Sequence, residues 1–209
     1  MISNFIRNLE IRLKEKLPGR VSQNKMAPVV KNEYGNSVDS GKAAVLILIF
    51  PNNGELSTIL IKRTEYPGPH SGQISFPGGK TDKADDNQIF TALREAGEET
   101  GIDTREINIL GTLTPLYIPV SNLEVLPVIG YTDTRPEFKI NPAEVEYLIQ
   151  IPLNHLTGNN LITEKTLRIR NRLIRAPGYS IDNEYVWGAT AMILSEFIEV
   201  TLNAVSINQ

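Results

Sequence analysis

The sequence predicts a mixed α/β (α+β) domain with helices layered on a sheet. Three observations predict it. β-like segments outnumber helical ones, and the helical ones are scattered along the chain instead of alternating strictly with strands. The longest apolar run, Ala43 to Phe50, is eight residues bounded by turn formers and reads as a buried strand. The chain has 209 residues. At about 150 residues per domain that supports a single domain, with residues 1–41 as an N-terminal helix and extension and 42–209 as the core.

The elements follow in order. Ile2, Phe5, Ile6, Leu9 and Leu13 recur at three- and four-residue spacings, which predicts an amphipathic helix over 2–16, stopped at Leu17-Pro18-Gly19. Its apolar stripe packs on this domain or on a second subunit, so a homodimer stays open. Residues 20–41 read as polar and irregular. Lys42 to Phe50, a turn at Pro51-Asn52-Asn53-Gly54, and Leu56 to Ile61 form a hairpin. A Gly-, Pro- and Ser-rich loop runs from Thr64 to about Lys83. A helix spans about Asp86 to Thr100 and ends at Gly101, with Asp85 or Asp86 as its cap and Gln88 completing a capping box. Short strands follow at 107–112, 123–131 and 161–175, one helical turn at Pro152 to Leu156, a strand at Tyr185 to Trp187 and a final helix over 188–203.

Composition narrows the function classes. Apolar residues are 41% and charged residues 22%, ordinary for a globular chain. Without cysteine there is no thiolate nucleophile, no Cys-ligated metal and no disulfide. The apolar runs are far short of a membrane span, and no signal peptide is visible, so a cytoplasmic protein is expected. A net charge of −3 offers no field for nucleic acid or anionic membrane. Locally, Asp82 to Asp103 holds seven acids and two bases, a net −5 that leaves the remainder at +2.

That charge sits on the predicted helix. At about 100° per residue from Ile89, Leu93, Ala96 and Phe90 form an apolar face, while Glu98, Glu95 and Glu99 share one arc of about 100°. Residues three and four apart are neighbours, so the carboxylates repel one another with no lysine at the right spacing to offset them. A solvated helix surface is one reading. A divalent cation is the other, since Mg²⁺ takes one or two carboxylates and completes its shell with water and phosphate oxygens. Spacing alone leaves both open.

The wider motif resembles a known family. Gly79, Asp85 and Arg94-Glu95-Ala96-Gly97-Glu98-Glu99-Thr100-Gly101-Ile102 are similar to the Nudix box of the Nudix hydrolases. The match is complete from Arg94 to Ile102. Asp85 stands where Glu is usual, with eight residues instead of seven before Arg94. The resemblance implies an α/β/α sandwich around a mixed sheet, and Mg²⁺- or Mn²⁺-dependent hydrolysis of a nucleoside diphosphate linked to a further group. It implies that Glu95, Glu98, Glu99 and the Gly79 carbonyl hold metal, and that Arg94 orients the glutamates. A pyrophosphate needs mainly positioning, charge neutralisation and an activated water.

The preceding segment, Arg63-Thr64 and Ser71-Gly72-Gln73-Ile74-Ser75-Phe76-Pro77-Gly78-Gly79, resembles the coenzyme A pyrophosphatase subfamily. Leu17-Pro18-Gly19 and Trp187-Gly188-Ala189-Thr190-Ala191 do so as well. Gly68 stands where that subfamily has a second Arg. The resemblance implies cleavage of coenzyme A or acyl-CoA, with Arg63, Gly72 and Phe76 on the substrate side. Another nucleoside diphosphate derivative, such as ADP-ribose, a nucleotide sugar or a nucleoside triphosphate, is the alternative; a silent Nudix-fold binding module is a further one. The general base is a box glutamate or a later acid, Glu144 being the candidate in Pro142-Ala143-Glu144-Val145-Glu146, a stretch that also reads as a helix start. His70 reads as an exposed loop residue, His155 as structural and Trp187 as core.

Overall fold

β1 (Gly41–Asn52) is apolar on both faces, and the structure shows why. Ala43, Ile47 and Ile49 point into one core, while Ala44, Leu46, Leu48 and Phe50 point into another on the opposite side of the sheet. A strand covered on both faces has no position to spare for a polar residue. The structure is a computed structural model, and it describes residues 2–29, 39–67, 70–156, 161–169 and 172–205.

Two helical elements precede β1: α1 (Ile2–Leu13) and the single turn α2 (Arg20–Gln23), which runs into a 3-10 turn at Asn24–Met26. α1 therefore ends before Leu17-Pro18-Gly19, and residues 20–26 are helical where an irregular segment is expected from their polarity. The reason is tertiary: Ser22, Gln23 and Met26 are buried against the last helix.

β2 (Glu55–Arg63) returns beside β1 as the hairpin expected, with Phe50 opposite Ser57. Within the predicted loop lie two short strands, β3 (Ile74–Ser75) and β4 (Gly78–Lys80). They are made by backbone pairing to β2 and β1, which no local pattern announces. α3 (Gln88–Thr100) follows. Its cap is Asn87, whose side chain accepts from the Phe90 N–H at 3.0 Å, and not Asp85 or Asp86. Gln88 donates instead to the Ala43 carbonyl at 2.8 Å, tying the helix start to β1.

β5 (Asn108–Thr112), β6 (Leu116–Ile118), β7 (Leu123–Tyr131) and β8 (Val145–Pro152) complete the large sheet. β7 runs parallel to β1 from Gly41↔Leu123 to Ile49↔Tyr131 and antiparallel to β5 and β6. β8 pairs with β2, so Glu146 lies in a strand and Glu144 just before it, not at a helix start. α4 (Leu153–Leu156) is the expected turn, and His155 on it is exposed, not structural.

β9 (Ile162–Ile169), β10 (Arg172–Ile181) and β11 (Glu184–Trp187) form a separate antiparallel sheet, so the segment 161–175 divides into two strands. α5 (Gly188–Val205) closes the fold. By length and a mean hydropathy of 1.2 it is apolar enough to cross a bilayer. Here it packs into the main core through Ala191, Ile193, Leu194, Phe197, Val200 and Ala204.

The layers follow from the two cores. Ala92 and Ala96 of α3 cover one face of the large sheet. Leu9 and Leu13 of α1, together with α5 and the small sheet, cover the other. The α1 stripe packs on its own chain, reinforced by Asn8 donating to the Ala204 carbonyl at 3.1 Å.

Candidate functional site

The site forms where α3 meets the turn between β3 and β4. Pairing of Ala44 with Gly79 and Val45 with Gly78 holds that turn on β1. The Leu46 N–H donates to the Pro77 carbonyl at 2.8 Å. Gly78 has φ of 152°, and a Cβ there would lie 2.3 Å from the Ala44 carbonyl oxygen, so only glycine fits. At Gly79 a Cβ would lie 2.2 Å from a Glu95 carboxylate oxygen. The absent side chain is what lets the Glu95 carboxylate approach this backbone.

The three box glutamates occupy three different environments. The buried face of α3 is Thr91, Ala92, Ala96, Glu99 and Thr100, while Phe90 is 47% exposed. The helix is therefore turned away from the apolar face counted on the sequence, toward the carboxylate arc. The Glu98 side chain is 54% exposed, that of Glu95 17% and that of Glu99 1%.

Arg94 organises the two outer ones. Its Nε and Nη2 take both oxygens of Asp85 at 2.8 and 3.0 Å, Nη2 reaches Glu95 Oε1 at 2.9 Å, and Nη1 reaches Glu98 Oε2 at 3.2 Å. The Arg94 hydrogen bond holds Asp85 well below the usual carboxylate range. The box position where Asp replaces Glu is thus the arginine's anchor. Burial raises Glu95 above its ordinary value; Arg94 opposes this, and the charges of Glu98 and Glu144 add to it.

Glu99 is held from both sides. Arg63 Nη1 donates to Oε1 at 2.7 Å and the Gly78 N–H donates to Oε2 at 2.8 Å. Burial pushes Glu99 up to about 7, with the Glu95 charge adding and Arg63 and the Gly78 amide opposing. Burial alone would lower Arg63, but the Glu99 charge and the Tyr66 hydroxyl raise it overall.

Glu144 arrives from the other side. The loop before β8 is stitched to the end of α3 by Lys139 N–H to the Thr100 carbonyl at 2.8 Å and Asn141 N–H to the Glu99 carbonyl at 3.0 Å. Asn141 Nδ2 then donates to Glu144 Oε1 at 3.2 Å, and the half-buried carboxylate lies within electrostatic range of Glu95.

Other residues singled out on the sequence lie elsewhere. Phe76 is 2% exposed and belongs to the main core, so its ring packs under the turn instead of facing a ligand. Gly72, with φ of 62°, closes the loop by donating to the Thr64 carbonyl at 3.2 Å. His70 is half-buried in that loop, its Nδ1 3.1 Å from Gln73 Oε1. Trp187 is half-buried at the end of β11. Gly68 lies outside the described residues. No pattern in the sequence points to Asn141 or Tyr66; their contacts come from loops that fold back on α3 and β2, which no spacing encodes.

The donor set suits a hard divalent cation. Glu95, Glu98 and Glu99 bring carboxylate oxygens to this end of the helix, and the bare backbone at Gly79 leaves room beside them. Among the described residues, however, no three such groups already converge at ligand spacing, and Glu99 is taken by Arg63.

Comparisons with known proteins agree with this geometry. A family model for the NUDIX domain matches residues 41–166. The chain is 35% identical over 168 residues to the uncharacterized Nudix hydrolase NudL of Yersinia pestis, covering 79% of this chain and 82% of that one. The match to NudL of Yersinia pseudotuberculosis has the same extent. Among solved structures, a MutT/nudix family protein from Enterococcus faecalis superposes with a TM-score of 0.50 at 18% identity, over 85% of this chain and 66% of that one, and shares the fold. Nudix hydrolases generally use divalent metal ions. With the box on α3, the glycine turn beside it and these relatives, the chain belongs to the Nudix family and is a pyrophosphohydrolase of nucleoside diphosphate derivatives.

Proposed function

We propose that the enzyme cleaves the pyrophosphate of coenzyme A or acyl-CoA, releasing 3′,5′-ADP and 4′-phosphopantetheine or its acyl form. The reading of the reaction is carried by one observation, the approach of Glu95 to the side-chain-free backbone of Gly79 with Glu98 and Glu144 around it. The reading of the substrate rests on the resemblance of residues 63–79 to the coenzyme A pyrophosphatases. It treats residues 1–209 as one domain, which the main core supports by drawing on residues from Leu9 to Ala204.

In this reading Glu95, Glu98, Glu99 and the Gly79 carbonyl hold Mg²⁺ or Mn²⁺. The metal, when bound, polarises phosphoryl oxygens and lowers the pKa of a water. Arg94, braced by Asp85, keeps Glu95 and Glu98 in place. Arg63 meets a substrate phosphate, and the loop closed at Gly72 shapes the entrance. Glu144 accepts the proton of the attacking water, its carboxylate oriented by Asn141.

A product assay tests this. Coenzyme A and ADP-ribose are offered in Mg²⁺ and in Mn²⁺, beside a Glu98→Gln control. Formation of 3′,5′-ADP from coenzyme A, lost in the control, is expected. Turnover of ADP-ribose alone would replace the substrate while leaving the chemistry standing.

A further inference from the structure

We propose that the Arg63 guanidinium is the resident counter-ion of Glu99, that it leaves this carboxylate when a divalent cation enters, and that its release presents it to the substrate phosphate. The inference rests on the carboxylates being a cation site.

Glu99 has both oxygens engaged, one by Arg63 and one by the Gly78 amide, in a side chain only 1% exposed. A carboxylate so buried needs a positive partner, and Arg63 is that partner. The two arginines of the site are held differently. Arg94 is fixed by a two-pronged bond to Asp85, whose side chain is 1% exposed, so it stays where it is. Arg63 stands at the end of β2, is 21% exposed, and is shared between Glu99 and the Tyr66 hydroxyl of the adjoining loop. It has a second partner in Tyr66, and part of its side chain is reached by solvent.

Both Glu99 oxygens are already engaged, so a divalent cation that takes Oε1 competes with Arg63 for it, in surroundings that screen charge weakly. Entry of the cation therefore displaces Arg63. The displaced guanidinium is a forked donor matched to phosphate oxygens. Metal and substrate binding thereby reinforce each other, which makes them thermodynamically coupled.

The test is Mn²⁺ binding to the metal-free protein, followed by electron paramagnetic resonance in mildly alkaline buffer under argon, so that protons do not replace the missing guanidinium on Glu99. Arg63→Gln is expected to bind Mn²⁺ about tenfold more tightly than the parent. Arg63→Lys, which keeps the charge and loses the fork, is expected in between. In a Glu99→Gln background the Arg63 substitution should change nothing. Equal or weaker binding by Arg63→Gln overturns the proposal while leaving the cation site intact. Failure of the parent itself to bind Mn²⁺ overturns both.

Should Arg63→Gln not fold, the parent carries the test alone. Nitrogen-15 spectra of arginine side chains should show the Arg63 guanidinium protected from exchange without metal and rapidly exchanging when saturated with Mg²⁺. An Arg63 signal indifferent to Mg²⁺ overturns the proposal.

Discussion

Two fully buried carboxylates, Glu99 on α3 and Glu196 on α5, are satisfied in opposite ways. Glu99 faces a charged partner at the open end of a strand. Glu196 accepts from neutral donors: the Gly19 N–H at 3.0 Å, Gln23 Nε2 at 2.8 Å, and the Thr114 hydroxyl and N–H at 2.7 and 3.4 Å. These tie the N-terminal segment and the link between β5 and β6 to α5. Charge neutralisation by a movable arginine can be exchanged for another cation; hydrogen bonds from fixed backbone and packed side chains cannot. The first arrangement makes a site, the second a scaffold.

Five perturbations sharpen that contrast, taken from the largest effect to the smallest. Glu98→Gln alters an exposed side chain, so the fold should persist while turnover of coenzyme A falls by about 10²–10³-fold; steady-state kinetics beside circular dichroism would check it. Glu196→Leu removes the acceptor of four hydrogen bonds and should cost about 3 kcal/mol in chemical denaturation, with kcat/KM unchanged in the fraction that remains folded. A loss of turnover with no loss of stability would erase the distinction. Glu144→Gln should lower kcat by about 100-fold with little effect on KM, and unchanged turnover would dispose of its role as base.

The next perturbation is pH. Glu99 is raised from 4.5 to about 7, so the native state binds a proton that the unfolded chain has released. Its contribution to stability is complete below 4.5 and disappears as pH rises through about 7. The metal-free Tm should therefore fall across that window, and Glu99→Gln should flatten the fall. As a baseline, Lys14→Ala removes an exposed pair with Glu10 at 2.8 Å and should change stability by less than about 0.5 kcal/mol.

Much of this was legible beforehand. The buried strand at Ala43–Phe50, the hairpin, the box helix and the terminal helix all follow from local apolar periodicity and turn chemistry. The box residues were visible as a motif, and Glu144 as the acid of a later loop. Less visible were β3, β4 and β6, only two or three residues long, and β8, which lies far along the chain from its partner β2; all four are defined by their pairing with other strands. The rotation of α3 departs from the one its apolar pattern predicts, because Phe90 lies toward solvent and not in the core. Burying Ala92 and Ala96 lets the helix approach the sheet closely, and that choice belongs to the packing and not to the helix. Phe76 shows the same limit, since a residue inside a functional motif can serve as its foundation.

By itself the sequence determined the family, the order of the main elements and the residue types of the candidate site: three glutamates, a glycine turn and an arginine among them. Chemistry of that kind is local, because residue type and spacing on one helix already set charge and reach. Only the tertiary structure decided how those equal glutamates differ. Glu98 is left in water, Glu95 is laid against Gly79, and Glu99 is sealed beneath Arg63. Burial and partnership are set by what other segments bring near, and those segments come from 16 to 49 residues away along the chain.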